Sequence, residues 1–158
     1  MNVESTRLDD REAPEREASI AVDRFVDFYQ TLTPASLRRI RDVYAEDAWF
    51  KDPFNDVHGA DEVQRILAHM FDALTSARFI IRDTVVQGDS VFLTWDFTFH
   101  VKKWKPLVEQ RIHGASHVRF NVEGKVSYHR DYWDAAEELY EKLPVIGWVM
   151  RGLRRRMR

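Results

Sequence analysis

Several residue types and patterns are missing from this chain, and each absence excludes a class of function. There is no cysteine, which rules out disulfides, thiolate nucleophiles and cysteine-ligated metal sites. No run of about 18 apolar residues is present for a membrane-spanning helix. The first twenty residues are charged and contain no apolar segment typical of a secretory signal. We therefore expect a cytoplasmic protein.

Sequence motifs for phosphate and nucleophile chemistry are also missing. The chain has no glycine-rich phosphate loop and no dinucleotide fingerprint. It has no serine nucleophile elbow either. Its histidines and acids show no clustering at metal-ligand spacing. We therefore predict neither a cofactor nor a metal.

Aromatic residues are plentiful in a chain of single-domain length. The 158 residues include ten Phe, five Tyr and five Trp. A chain of this size can bury a core and also line a cavity with rings.

Helical patterns dominate the first half of the chain. Residues 1–18 lack apolar periodicity and are interpreted as a flexible arm, followed by a domain over 19–140. A first helix is expected from Ser19, and a second from Thr33 as its N-cap. A third is predicted over residues 60–74, after a short strand at 48–52 that a proline ends.

The second half of the chain has the pattern of β-structure. Strands are predicted over residues 78–87, 91–101, 107–120 and 125–133, separated by turns. Apolar and polar residues alternate along 91–101. Consecutive strands joined by turns form an antiparallel meander. The predicted class is α+β, with a curved antiparallel sheet wrapped around three N-terminal helices and a cavity between them.

Three stretches in order resemble one known family. They are YAEDAWFKDPFNDVHGADEV at 44–63, HVRFNVEGKV at 117–126 and SYHRDYWD at 127–134. Together they resemble the SnoaL-like and ketosteroid-isomerase-like domains of the nuclear transport factor 2-like superfamily, over about residues 20–134. The resemblance implies a cone-shaped fold and a homodimer that forms through the outer face of the sheet. It does not imply one reaction, because this superfamily includes several enzyme classes and non-catalytic binders.

The resemblance implies a catalytic set that this chain retains only in part. In ketosteroid isomerases the aspartate before that proline is the general base, which corresponds to Asp52. The tyrosine that binds the enolate oxygen corresponds to Phe25, although Tyr29 lies one turn further on. The second donor, a protonated aspartic acid, corresponds to Ser116. Because such donors often contribute most to the rate, steroid isomerase activity is not expected.

The candidate catalytic residues are Asp52, His58 and Ser116. Desolvation in an apolar cavity would make Asp52 a stronger base, although an Asp-Pro pair also serves simply to end a strand. His58 lies in the next loop and is either a proton relay or part of a turn. His113 and His117 have the opposite strand parity to Ser116 and are expected to face outward.

The candidate ligand-binding residues are aromatic or apolar. An apolar stripe along the strand at 91–101 would pack in the core and also line the cavity. It favours an apolar or aromatic ligand over a sugar or phosphate. The predicted set is Phe25, Tyr29, Tyr44, Phe50, Trp95, Phe97, Phe99 and Val118.

The C-terminal segment 141–158 differs in charge from the rest of the chain. Residues 142–158 carry six basic and no acidic side chains, although the net charge is −2. This pattern predicts an amphipathic basic helix that contacts an anionic membrane or a partner, or that packs on its own domain while its arginines keep the end soluble. The residues expected to make the contact are Trp148, Arg151, Arg154, Arg155 and Arg156. Nucleic acid is not the expected partner, because the acidic body would repel phosphate.

Two functions remain open from the sequence. The first is a cofactor-independent isomerase, dehydratase, cyclase or hydrolase with Asp52 as general base. The second is a non-catalytic module that binds a small apolar molecule or dimerises, with the tail docking on a membrane or partner.

Overall fold

A computed structural model describes residues 3–103 and 106–135, with side chains from residue 17 onward. The helices are α1 (Val3–Gln30), α2 (Ile40–Val43) and α3 (Ala60–Ala73), with a 3-10 turn at Ser36–Arg39. The strands are β1 (Tyr44–Lys51), β2 (Asp56–His58), β3 (Leu74–Gln87), β4 (Ser90–Val101), β5 (Gln110–Phe120) and β6 (Val126–Tyr132). The predicted C-terminal helix lies outside the described residues. Within them, no helix is both long and apolar enough to cross a membrane.

One curved, open sheet carries all six strands, in the order β2-β1-β6-β5-β4-β3. Strands β3 to β6 form the predicted antiparallel meander. The exception is β1, which pairs with β6 in parallel. The predicted α+β fold with a cone-like sheet around the helices is confirmed.

The inner face of the sheet, which carries Trp95 and Ser116, packs against α1. The ring of Phe25 lies 6.3 Å from that of Phe120 on β5, and the ring of Tyr29 lies 5.3 Å from that of Phe79 on β3. Alternate residues of β4 and β5 are buried on this face, because successive side chains of a strand point to opposite sides.

Two helix boundaries differ from the predictions. The start of α1 near Ser19 is wrong, because the helix begins at Val3. Residues 3–18 are rich in Glu and Arg, whose high intrinsic helix propensity does not depend on an apolar stripe. Thr33 does accept a hydrogen bond from the Ser36 amide at 3.1 Å, but only a 3-10 turn and the four-residue α2 follow.

Four strand predictions also differ, and one is the start of β3, which lies at Leu74, four residues earlier than predicted. Residues predicted as a loop form β2, which pairs with β1 through Trp49 and His58. Strand β1 begins at Tyr44, four residues earlier than the strand predicted at 48–52. Strand β5 begins at Gln110, three residues later than predicted.

The outer face of the sheet buries one carboxylate under three basic side chains. Asp96 is 1% exposed and bonds to Arg82 at 2.7 Å, to His113 at 2.9 Å and to Arg111. Arg111, with His113 and Arg82, holds the pKa of the Asp96 carboxyl well below its ordinary value. The predicted homodimer contact through this face stays a prediction.

We predict that Asp96→Asn lowers the free energy of unfolding at pH 7 by about 1–3 kcal/mol, because charge-assisted hydrogen bonds are lost. The depressed pKa means that ionised Asp96 stabilises the fold above about pH 4, the ordinary range of aspartate, and progressively less below it. Urea unfolding between pH 2 and 7 should therefore show that the free energy of unfolding falls less steeply with decreasing pH in the variant than in the wild-type protein. Equal slopes would contradict this, and the exposed Asp83→Asn is the matched control.

Candidate functional site

A cavity lies between α1 and the inner face of β3, β4, β5 and β6. Its volume of about 10 Å³ leaves room for about one water molecule, so a larger ligand requires lining side chains to move apart. One part of the lining is aromatic and aliphatic, and the other is polar. The lining residues are Phe25, Tyr29, Phe79, Ile81, Leu93, Trp95, Ser116, His129 and Asp131.

The carboxylate of Asp131 is the charged group of this lining. Its Oδ1 accepts hydrogen bonds from the Ser116 hydroxyl at 2.5 Å and from Nε2 of His129 at 2.8 Å. The indole N–H of Trp95 donates to the Ser116 oxygen at 2.8 Å, which leaves the Ser116 proton for Asp131. Oδ2 of Asp131 has no hydrogen bond to any residue that the structure describes. Within the described part of the chain, Asp131 therefore has one fixed oxygen and one available oxygen.

Two buried tyrosines continue the hydrogen bonds on the other side of His129. Nδ1 of His129 lies 2.5 Å from the hydroxyl of Tyr44. That hydroxyl lies 2.7 Å from the hydroxyl of Tyr29. A continuous chain therefore runs from Tyr29 through Tyr44 and His129 to Asp131, and both of its ends line the cavity.

Burial keeps both tyrosines in the protonated form. It raises the pKa of Tyr29 far above its ordinary value, and the charge of Asp131 raises it further. Burial also raises the pKa of Tyr44, with the neighbouring Tyr29 as the next cause. A buried tyrosinate would be costly without a compensating charge. These residues therefore act through their O–H groups and not as bases.

Aromatic rings fix the orientation of the His129 imidazole. The ring of Phe25 lies 5.4 Å from it and that of Phe50 lies 5.0 Å from it, both edge-on. The imidazole is 2% exposed. Packing on both sides leaves Tyr44 and Asp131 as the hydrogen-bond partners of its two nitrogens, with Ser116 3.3 Å from Nε2.

Asp52 lies in the turn between β1 and β2. Its Oδ1 accepts from the amides of Phe54 at 2.7 Å and Asn55 at 2.6 Å. The side-chain amide of Asn55 donates to both carboxylate oxygens. This is the turn-forming role considered for an Asp-Pro pair, and Asp52 is not part of the cavity lining. A catalytic role for Asp52 stays a prediction.

The other predicted site residues divide between the cavity, the core and the surface. Phe25, Tyr29, Trp95 and Ser116 line the cavity, and Tyr44 and Phe50 contact His129 from behind the lining. Phe97, Phe99 and Val118 are buried in the core outside the lining. His58 is exposed on β2. His113 and His117 lie on the outer face, as expected from their parity.

His129 and Asp131 were missed as functional residues. Both lie in the SYHRDYWD segment that carries part of the resemblance. They share one strand parity, and the β5–β6 register places Asp131 opposite Ser116 and His129 opposite Val118. Aligning the two predicted strands, so that the residues of one face lie opposite each other, would have placed His129 and Asp131 on the inner face with Ser116. Among the described residues, no group of three or more His, Asp or Glu is placed to hold a metal ion.

Solved structures share this fold at low sequence identity. One is an NTF2-like protein of unknown function from Exiguobacterium sp. 255-15, with 17% identity, TM-score 0.61 and coverage of 72% of this chain and 98% of that one. Another is an LEH-like epoxide hydrolase of M. tuberculosis, with 15% identity, TM-score 0.62 and coverage of 78% and 86%. No curated protein sequence matches the chain.

A third structure is a ketosteroid isomerase-like protein from Catenulispora acidiphila DSM 44928 in complex with trimethylamine. It has 16% identity, TM-score 0.64 and coverage of 75% of this chain and 88% of that one. The sheet, the helices and the cavity thus define an NTF2-like α+β protein. The profile of the SnoaL-like domain matches residues 24–129, and the chain belongs to that family. The resemblance found in the sequence is confirmed.

We predict that Gly114→Ala destabilises the fold and disturbs the cavity. Gly114 pairs with Trp95 across β4 and β5, and a Cβ there would lie 2.4 Å from the indole ring. Such overpacking costs about 1–3 kcal/mol. Urea unfolding measures the loss, and the indole N–H resonance of Trp95 should shift as its bond to Ser116 changes. Ala115→Ser adds one atom on the opposite face and should leave both unchanged; equal effects of the two variants would contradict the prediction.

Proposed function

We propose that the protein is an enzyme that performs acid–base chemistry on a small molecule bound in the cavity, with Asp131 as the proton acceptor. The reaction class is isomerisation, dehydration or cyclisation of a largely apolar carbonyl compound. The observation that carries the proposal is the asymmetry of Asp131. Ser116 and His129 fix one oxygen, the other has no hydrogen-bond partner among the described residues, and Asp131 shares the cavity lining with aromatic side chains.

A fixed carboxylate beside an apolar surface suits proton abstraction next to a carbonyl. Fixing Oδ1 orients Oδ2 and reduces the reorganisation that a free side chain would need. General acid–base catalysis by a positioned group contributes about 10²- to 10⁴-fold to a rate. The His129 imidazole, bonded to Oδ1, stabilises the charge on the carboxylate before transfer, and the proton taken from the substrate neutralises that charge.

The lining favours a ligand with a small polar group on an apolar body. Phe25, Phe79 and Leu93 offer no hydrogen bond, whereas Tyr29 and Asp131 do. Ligand sites typically combine apolar walls with a few placed polar groups. One similar structure is named an epoxide hydrolase and another is described as having a ketosteroid isomerase-like fold, which supports small-molecule chemistry without fixing the reaction.

We predict that Asp131→Asn slows proton exchange at least 100-fold, the lower range for loss of a general base. The assay is solvent deuterium exchange at the α-carbon of small cyclic ketones, followed by NMR, and it needs no known substrate. Asp52→Asn should change the exchange rate less than threefold, because its oxygens are already used in the turn.

The opposite pattern, with loss in Asp52→Asn alone, would identify Asp52 as the base. Both variants must retain wild-type thermal unfolding for the comparison to hold. Absence of exchange above background in the wild-type protein across the ketones would overturn the enzyme proposal in favour of a binding module.

The basic C-terminal segment carries a second, independent proposal of membrane docking. Six basic and no acidic side chains fall within residues 142–158. Attraction to anionic lipid adds about 1 kcal/mol for each Lys or Arg near the surface. We predict that deleting residues 143–158 abolishes sedimentation with phosphatidylserine vesicles at low salt. Neutral phosphatidylcholine vesicles are the control, and equal binding by the full and shortened chains would contradict docking by the tail.

A further inference from the structure

The hydroxyl of Tyr29 uses one of its hydrogen-bonding positions on Tyr44 and can bond to a ligand through the others. Its hydrogen-bond partner among the described residues is the hydroxyl of Tyr44, at 2.7 Å. Tyr29 also lines the cavity. A hydroxyl donates one hydrogen bond and accepts up to two. The direction of the Tyr29–Tyr44 bond therefore decides whether Tyr29 offers a molecule in the cavity its proton or only a lone pair.

The two tyrosines cannot set this direction by losing a proton. Burial raises the pKa of both hydroxyls far above the physiological range. Each tyrosine therefore supplies one O–H group. Only a group at the other end of this hydrogen-bonded chain can reverse the direction of the Tyr29–Tyr44 bond. That end is His129, whose Nδ1 lies 2.5 Å from the Tyr44 hydroxyl.

When His129 is neutral, the hydrogen bonds that link Tyr29, Tyr44, His129 and Asp131 can run in only one direction. Nε2–H donates to the ionised Asp131, because a lone pair on that nitrogen would face a carboxylate. Nδ1 then accepts the proton of Tyr44, and the Tyr44 oxygen accepts that of Tyr29. Tyr29 presents a lone pair to the cavity, which suits a ligand hydroxyl.

Protonation of His129 reverses every bond between Nδ1 and Tyr29. Both ring nitrogens of an imidazolium donate. Nδ1–H then donates to Tyr44, and the Tyr44 hydroxyl donates to Tyr29. The Tyr29 proton becomes free for the cavity, where a carbonyl or an oxyanion would accept it.

We propose that His129, acting through Tyr44, sets whether Tyr29 donates to or accepts from the bound molecule, so that a ketone or an oxyanion bonds to Tyr29 only when His129 is protonated, whereas an alcohol bonds in either state. Tyr44 and His129 are positioning residues, and Tyr29 is the group that touches the ligand. The proposal rests on the proposed function only in that the ligand occupies the same cavity.

The charged and titratable groups in or near this hydrogen-bonded chain come from α1, β1, β6 and the turn after β1. Tyr29 comes from α1, Tyr44 from β1, and Asp131 follows His129 on β6. Asp52, in the turn after β1, acts electrostatically on Tyr29. Strands β4 and β5 contribute Trp95 and Ser116, which do not titrate in the range of histidine. Within this set, only His129 is of a type that ordinarily changes charge between about pH 5 and 8.

Binding of a matched ketone and alcohol tests the selection. Cyclopentanone only accepts hydrogen bonds, whereas cyclopentanol of almost the same size also donates. We expect the ratio of their dissociation constants, from NMR titration, to change about 2- to 10-fold in favour of the ketone between pH 8 and pH 5, the range for one hydrogen bond. In Tyr44→Phe the ratio should not depend on pH.

The control variant is Tyr128→Phe, on the outer face of the same strand as His129, and it should keep the wild-type pH dependence. Binding of both probes with a pH-independent ratio in the wild-type protein would overturn the inference and leave the proposed function intact. Failure of either probe to bind at any pH would count against the proposed function instead.

A ligand-free measurement tests the same inference independently. Neutron diffraction of the deuterated protein at pD 5 and pD 8 locates the hydroxyl deuterons of Tyr29 and Tyr44. We expect the Tyr44 deuteron to point to His129 at pD 8 and to Tyr29 at pD 5, with ¹⁵N NMR reporting the charge of His129 at each. An unchanged deuteron position while His129 changes charge would overturn the inference even where ligands bind.

Discussion

Every polar group buried in this site must keep a hydrogen-bond partner, and that requirement connects most of the fold. The bonds that converge on Oδ1 of Asp131 bring together Ser116 of β5 and His129 of β6, with Trp95 of β4 behind Ser116. Through Tyr44 and Tyr29 the same set reaches β1 and α1. A buried donor or acceptor left without a partner costs about 1–3 kcal/mol. The sheet and the long helix are therefore held in the one arrangement that satisfies all of these groups.

The sequence predicts the elements with one buried face, such as α3 and β4, more accurately than the others for a physical reason. Period-two alternation over residues 91–101 is strong, because one face is buried and a slip by one residue would expose it. The start of α1 has no such signal, since residues 3–18 are helical without an apolar stripe. The parallel pairing of β1 with β6 also leaves no signal in the local sequence, because these are the first and the last of the described strands along the chain.

Part of the candidate site was predicted from the sequence, and the residues that were missed depend on how β5 pairs with β6. Phe25, Tyr29, Trp95 and Ser116 were found from helical spacing, strand parity and the family resemblance, and all line the cavity. His129 and Asp131 need the register of β5 against β6, which a single strand cannot supply. Asp52 was favoured by its place before a proline, but only the fold shows that neighbouring amides occupy its oxygens.

The parallel pairing of β1 with β6 has a consequence for synthesis of the chain. Tyr44 and His129 lie 85 positions apart, yet they share a buried hydrogen bond. Contacts of such long sequence separation form late, because the loop between them must close first. The ribosome releases β1 well before β6, so β1 waits without its parallel neighbour while the meander is made. The hydrogen-bonded chain from Tyr29 to Asp131 is therefore completed only when β6 docks. A nascent or truncated domain that lacks β6 has no assembled site.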